Sequence, residues 1–382
     1  MTYLPVLFGY HANNIGNSHV PLSLCRFWHE GGRAVKLIVP STESNISYPW
    51  LQPAMKGLKK SLIYKLNIKD QARSLAERKF VKSEKSASVV YLWAGLSLEV
   101  FEQFHKNGTK IIIERINCHN ATARSIIQNA EHKWGVKTDN VIRDDKIARE
   151  NRKLALADAI FCPSPMVRQS MLENGVPAEK LLSTSYGWEP ERFSSISISR
   201  IENLKPVFLF VGKLCLRKGL PLLLEAWRRA EIDGELLLCG ALDQDFQSAL
   251  AEQLKQKNVR HFSFTNDIGE VYRKADIFVF PTLEEGGPMV TYEAMAHGIP
   301  PLVTAMGAGA IVQDGINGLV LPDMDVDAWV VAMRDMAENR QKRLEIGENA
   351  KLRAQDFTWK NVAEQRAKLL EAKYPKLWAS NL

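Results

Sequence analysis

The sequence predicts an α/β protein made of two doubly wound domains, each a parallel sheet with helices on both faces. Two patterns and a length lead there. Short apolar runs alternate with amphipathic stretches from one end of the chain to the other, the mark of repeated strand–helix units. These runs are apolar throughout instead of alternating in and out, as strands buried on both faces must be. The 382 residues exceed one ordinary domain and give each of two halves enough chain for its own core.

Strands are expected in the first half at "YLPVLFG", "AVKLIVP", "ASVVYLW", "TKIIIE" and "DAIFCPS". In the second half they are expected at "PVFLFVG", "ELLLCG", "VRHFSF", "DIFVFP" and "PPLVT". Between them, "GLPLLLEAWRRA" and "DFQSALAEQLKQK" carry helical periodicity. Residues 194–206 are polar and weakly patterned and read as the linker. This divides the chain into a first domain at 1–194, a second at 195–356, and a last helix within 357–382 that folds back across the linker. Two such domains bind ligands beyond the carboxyl ends of their strands, so the site is expected in the cleft between them.

Composition narrows the class. With 46% hydrophobic and 24% charged residues and no low-complexity tract or internal repeat, the chain is globular. Its N-terminus has no basic region ahead of an apolar run, and no run approaches membrane-spanning length, so a cytosolic protein is expected. The five cysteines, Cys25, Cys118, Cys162, Cys215 and Cys239, show no metal-type spacing and are expected as free buried thiols.

The formal net charge of +7 is unevenly spread: from Lys56 to Lys85 there are ten basic residues against three acidic ones, with apolar residues threaded through the first half. Such a segment can lie on an anionic membrane surface, peripherally on the inner face, or be a solvated face or loop. No nucleic-acid motif accompanies the charge, so nucleic acid is not an expected partner.

Two loops in the second half carry the chemistry. "FVGKLCLRKGLPLLL" is a strand, a loop holding Lys213, Arg217 and Lys218, and a helix opened by Pro221. Three cations beside a helix N-terminus supply what a diphosphate needs, fixed positive charge and backbone donors. About seventy residues on, "EEGGPMVTYEAMAHG" is a loop turning into a helix. Gly286 and Gly287 permit unusual backbone angles and Pro288 suits the first helical position. Glu285 then sits in the loop beside an anion site and Glu293 inside the helix, placed for hydroxyls on either side of the anion.

In the first half a polar loop with Gly16 lets backbone approach a ligand. It lacks GxGxxG, and no acidic residue ends the second strand, so a nicotinamide site is poorly supported. "IIIERINCHN" places Glu114, Arg115 and His119 past another strand, where the histidine serves either a ligand or the fold. The pairs Asp243 with Asp245, and Asp323 with Asp325 and Asp327, open helical patterns and are read as caps, not metal ligands. With lysines available to neutralise a diphosphate, neither a metal nor a cofactor is expected.

The runs "GKLCLRKG", "ADIFVFPTLEEGGPMVTYEAMAHGIPPLVT" and "GAIVQDGINGLVLP", covering most of residues 206–322, resemble the donor half of the retaining glycosyltransferases of family 4, glycosyl transferases group 1, which have the GT-B fold. More loosely, "ALADAIFCPSPMVRQSMLENGVPAEKLLSTSYGWEPERF" is similar to the segment leading into their second domain. The resemblance implies two Rossmann-like domains facing a central cleft and transfer of a hexose from a nucleotide diphosphate sugar to an acceptor, with retention at the anomeric carbon; the acceptor is expected to be a glycan or, if the basic segment binds membrane, a lipid-linked or lipopolysaccharide-type molecule.

Carried onto this sequence, Glu285 would bond donor-sugar hydroxyls, with the backbone at Gly286, Gly287, Pro288 and Met289 against sugar and diphosphate. Glu293 would hold ribose, and Lys213 and Lys218 the diphosphate. His119 would be the cleft histidine near the sugar, and Gly16 would belong to the N-terminal loop. Two departures stand out: the first cation, Lys213, is usually Arg, and the single Gly16 stands where many relatives have a pair. A sugar-nucleotide epimerase, a phosphorylase and a catalytically inactive nucleotide-sugar-binding scaffold are the alternatives.

Overall fold

All ten apolar runs become strands, and every pairing between them is parallel. The computed structural model describes residues 3–13, 16–55, 69–139, 141–193, 203–243, 254, 256, 258–263, 265 and 267–378. Most of the expected linker, the part of the basic segment from Lys56 to 68, Asp245 and most of the helix "DFQSALAEQLKQK" lie outside the described residues.

The first sheet contains β1 (Leu4–Leu7), β2 (Val35–Val39), β3 (Leu51–Pro53), β4 (Val89–Trp93), β5 (Lys110–Glu114), β6 (Ala159–Cys162) and β7 (Leu181–Ser183), in the order β3-β2-β1-β4-β5-β6-β7. The second contains β8 (Val207–Val211), β9 (Glu235–Cys239), β10 (Val259–Phe262), β11 (Ile277–Phe280), β12 (Pro301–Val303) and β13 (Leu319–Val320), in the order β10-β9-β8-β11-β12-β13. About five strands per half were expected. The additional β3, β7 and β13 are two or three residues long, too short to leave a hydrophobic pattern.

In both sheets the strand order reverses beside the first strand, between β1 and β4 and between β8 and β11. Chains leaving the two strands at such a point diverge to opposite faces and open a crevice at their carboxyl ends. In the second sheet the two exits come within backbone contact. Gly219 has φ of +72°, and a Cβ there would lie 1.9 Å from the Pro281 carbonyl oxygen. Only glycine fits both the angle and the space.

Each sheet has its own apolar core, and the last helix joins the first of them: Trp359, Val362, Ala363, Ala367 and Leu370 are buried with β1, β2, β4, β5 and β6. That helix, Trp359–Lys373, lies along His19–Glu30, where the Trp28 indole donates to the Ala363 carbonyl at 2.7 Å and Arg33 pairs with Glu364 and Glu371, each at 2.7 Å. The chain re-enters beside the crossing at Trp188, whose N–H donates to the Phe357 carbonyl at 3.0 Å, while the Trp359 N–H donates back to Trp188 at 2.9 Å.

The helix is pinned by a fully buried ion pair. Arg366 donates to Glu114, at the end of β5, at 2.7 and 3.3 Å, and to the Ser185 carbonyl at 2.8 Å. Burying such a pair gains little over packed apolar groups, but removing one partner strands a charge. Glu114→Ala or Arg366→Met alone should therefore lower stability by about 3–5 kcal/mol in denaturant unfolding. The double variant Glu114→Leu/Arg366→Met should recover most of that loss.

Candidate functional site

The crevice of the second sheet is walled by the loop after β8 and the loop after β11. From β8 the chain turns through Gly212 and Lys213 into a short 3-10 turn, Leu216–Lys218, before the helix Leu220–Ala230. From β11 it runs through Thr282 to Pro288 and then into the helix Met289–Ala296, which no side chain caps among the described residues. Pro288 sits at the cap position, one residue earlier than the sequence suggested. The two loops are knitted by the Arg217 carbonyl, which accepts the N–H of Leu283 at 2.9 Å and the Thr282 hydroxyl at 3.3 Å.

Across that seam the structure brings Lys218 and Glu285 into direct contact as an ion pair. Lys218 is buried, with its ammonium 5.2 Å from the Phe280 ring, and Glu285 keeps a narrow opening to solvent. Burial, and secondarily the Arg217 guanidinium, press Lys218 down to about 7. The nearby Glu284 carboxylate works the other way and favours the ammonium. Glu285 also accepts the Gly286 N–H at 3.1 Å.

The other two cations of the loop are paired as well. Lys213 is half exposed and meets Asp243 at 2.5 Å. Asp243 is the partner of Lys213 just beyond the carboxyl end of β9, and the helix it is expected to cap lies outside the described residues. In the second acidic group Asp325 does cap a helix, accepting the Ala328 N–H at 3.1 Å, and Asp327 pairs with Arg229. Arg217 turns to Glu284, donating to its carbonyl at 3.0 Å and its carboxylate at 3.3 Å.

Glu293 lies on the helix Met289–Ala296, buried, accepting the Tyr272 hydroxyl at 2.9 Å with Arg192 at 3.5 Å. Burial pushes its carboxyl above the usual range, against the pull of Arg192 and the Tyr272 hydrogen bond. Met289 is half-buried against the first domain's core.

Gly16 has φ of +56° and stands exposed ahead of the helix His19–Glu30. His119 is almost wholly buried, and both ring nitrogens are engaged inside its own domain. Nδ1 accepts the Ala121 N–H at 3.2 Å, and Nε2 lies 2.7 Å from Asn151 and 3.4 Å from Glu150. It caps the helix Asn120–Trp134. Glu150 also binds Arg115 at 2.5 Å and the Asn120 N–H at 2.7 Å, so the whole 115–120 loop rests on a buried polar network.

The sequence reading passed over Glu284. Two percent exposed, it receives hydrogen bonds from both domains: from the Asn117 amide at 2.8 and 3.0 Å, the Cys118 N–H at 3.2 Å and thiol at 3.3 Å, and Arg217. Next to it, a Cβ on Gly286 would lie 1.9 Å from the Ile116 carbonyl oxygen, and one on Gly287 would lie 2.4 Å from Tyr186. These two glycines therefore admit the facing domain as well as any ligand. Their only sequence signal was the doubled glycine itself.

Residues 192–353 match the family model of the glycosyl transferases group 1. A D-inositol 3-phosphate glycosyltransferase of Corynebacterium kroppenstedtii is 30% identical over 181 residues, 43% of this chain and 40% of that protein; the chain thus aligns with well under two thirds of this curated relative's length. Among solved structures, sucrose-phosphate synthase of Thermosynechococcus elongatus superposes with a TM-score of 0.75 at 18% identity, covering 98% of this chain and 100% of that one. HepE of Anabaena, solved in complex with UDP and glucose, gives 0.65 at 16% identity, covering 97% and 100%. The architecture is GT-B, and the proteins this chain resembles are the group 1 glycosyltransferases.

Proposed function

We propose that the chain is a glycosyltransferase that moves a hexose from a nucleoside diphosphate sugar to an acceptor with retention of anomeric configuration. The observation that carries this reading is the meeting of Lys218 and Glu285 in the crevice between β8 and β11, beside the uncapped start of the helix Met289–Ala296. A diphosphate arriving there takes the place of Glu285 on the ammonium, and its charge keeps Lys218 protonated despite burial. Glu285, released, turns to the hydroxyls of the sugar. Gly286, Gly287, Pro288 and Met289 line its path, and Glu293 serves the ribose by exchanging one of its present partners.

Cleavage of the bond between the anomeric carbon and the diphosphate builds negative charge on the leaving oxygen. Lys218, Arg217, Lys213 and the helix start stabilise that charge from fixed positions. The acceptor hydroxyl attacks the same face, and its proton passes to the departing phosphate oxygen, so no metal is required. His119 acts through the 115–120 loop it supports. The likeness to a fold solved with UDP and glucose supports a uridine donor as the first to try. A catalytically inactive sugar-nucleotide-binding scaffold and an epimerase are the competing readings.

Incubation with UDP-, GDP- and ADP-sugars should release the nucleoside diphosphate from one of them; binding without release would favour the scaffold. Lys218→Ala should then lose about 10²–10³ in kcat, some 2.7–4 kcal/mol of transition-state stabilisation. The pH dependence has a defined sign. Because burial lowers Lys218 toward about 7, affinity for free UDP should fall as pH rises from about 7 to about 9 and the ammonium loses its proton. Lys218→Arg, whose guanidinium stays charged, should flatten that profile in calorimetry.

The acceptor is proposed to be a glycan or a lipid-linked molecule presented at an anionic membrane, met through the Lys56 to Lys85 segment. No helix among the described residues is long and apolar enough to cross a bilayer. Co-sedimentation with anionic vesicles should therefore be reversible and weaken with salt; failure to co-sediment at low salt would remove this part of the reading.

A further inference from the structure

The contact that Glu284 makes across the cleft has no counterpart in the roles described so far. Its carboxylate comes from the loop after β11, yet three of its four donor groups belong to the first domain: the Asn117 amide, the Cys118 N–H and the Cys118 thiol. The fourth is Arg217, whose peptide adjoins Lys218. A carboxylate this deeply buried depends on its donors, because the cost of taking it out of water is offset only by hydrogen bonds. When the domains part, Glu284 loses its first-domain donors together and is left with Arg217 and water.

The surroundings make the contact stiff on both sides. The first-domain partners ride on a loop held by the Arg115–Glu150 pair and by His119. The helix that follows, Asn120–Trp134, buries Ala130 in the second domain's core, and Cys118 and Ala123 pack on Met306. On the other side the Arg217 carbonyl and guanidinium both grip the 282–284 loop. A shift of Glu284 is therefore passed to the adjoining pair of residues, Lys218 and Glu285.

Resting on the function proposed above, we propose that Glu284 is a positioning residue: it latches the two domains in the closed state through Asn117 and Cys118, and in doing so sets Lys218 and Glu285 in their reactive geometry. Its job is to make catalysis conditional on closure, which keeps water from the donor until the acceptor-bearing domain is seated. No side chain leaves the nucleotide site when the latch opens; what changes is how Lys218 and Glu285 are set against each other.

The test compares the full-length chain with Glu284→Ala, Asn117→Ala and the double variant. In small-angle scattering, the wild-type chain should match the closed arrangement and Glu284→Ala should be more extended. In calorimetry, free UDP should bind Glu284→Ala within about threefold of wild type, because the latch is not a nucleotide contact. With whichever sugar nucleotide is turned over, kcat should fall between about fivefold and about 150-fold while the donor KM stays nearly constant. Asn117→Ala should reproduce the effect, and the double variant should be no worse than Glu284→Ala, as expected for two members of one contact.

Glu284→Gln, which keeps one acceptor oxygen, should recover part of the rate. Unchanged scattering together with unchanged kcat in Glu284→Ala would overturn the proposal. So would joint loss of UDP binding and turnover, which would make Glu284 a ligand of the donor. If the wild-type chain turns over no sugar nucleotide, the proposed function fails by itself, and the scattering comparison still decides the latch.

Discussion

A lysine ammonium kept almost entirely out of water has to be held charged, and much of the second domain is arranged around that requirement. Lys218 cannot move to solvent, because the 3-10 turn that carries it is wedged between Gly219, which touches the Pro281 carbonyl, and the Phe280 ring. Desolvation alone drives the proton off. What favours its return is nearby negative charge. In the resting molecule that charge is Glu284 together with Glu285, which is in ion-pair contact, and in the proposed complex it is a phosphate.

The same logic extends to the neighbouring cations. Lys213, Arg217 and Lys218 face Asp243, Glu284 and Glu285 respectively, one carboxylate each. Their local charges balance before any ligand arrives, which offsets part of the repulsion among three cations on one loop, although Arg217 still presses Lys218 down. The pairs are unequal in depth. Lys213 is half exposed, and its ion pair is of the kind that exchanges with solvent at small cost. The Lys218–Glu285 pair is shielded, so an entering anion that replaces Glu285 changes the field inside the crevice far more. Glu284 stands apart because its other donors are on the facing domain, and through it the state of the cleft is registered next to the pair that is proposed to do the chemistry.

Much of this was legible in the sequence, for identifiable reasons. Doubly buried strands announce themselves as continuous apolar runs, so β1, β2 and β8 could be read directly, whereas β13, with two residues, could not. The loops holding Lys218 and Glu285 were found because glycine, proline and charge mark the exits of strands. Their actual contact was not visible, since it depends on which strands are neighbours, and β8 and β11 are separated by two intervening strands in sequence. The position of His119 after a strand end was legible, but its partners were not: it caps its own helix through Ala121 and meets Asn151 and the buried Glu150, both more than thirty residues on. Glu284 looked like the idle half of a Glu-Glu pair. Its environment is assembled from Asn117 and Cys118, more than a hundred and sixty residues away, and no local pattern records that.

The most direct measurement of the central claim is a crystal structure of the chain with UDP. The account predicts the β-phosphate on the Lys218 ammonium at the start of the helix Met289–Ala296, with Glu285 swung off the lysine toward the sugar side. A diphosphate bound elsewhere, with the Lys218–Glu285 pair still closed, would contradict it.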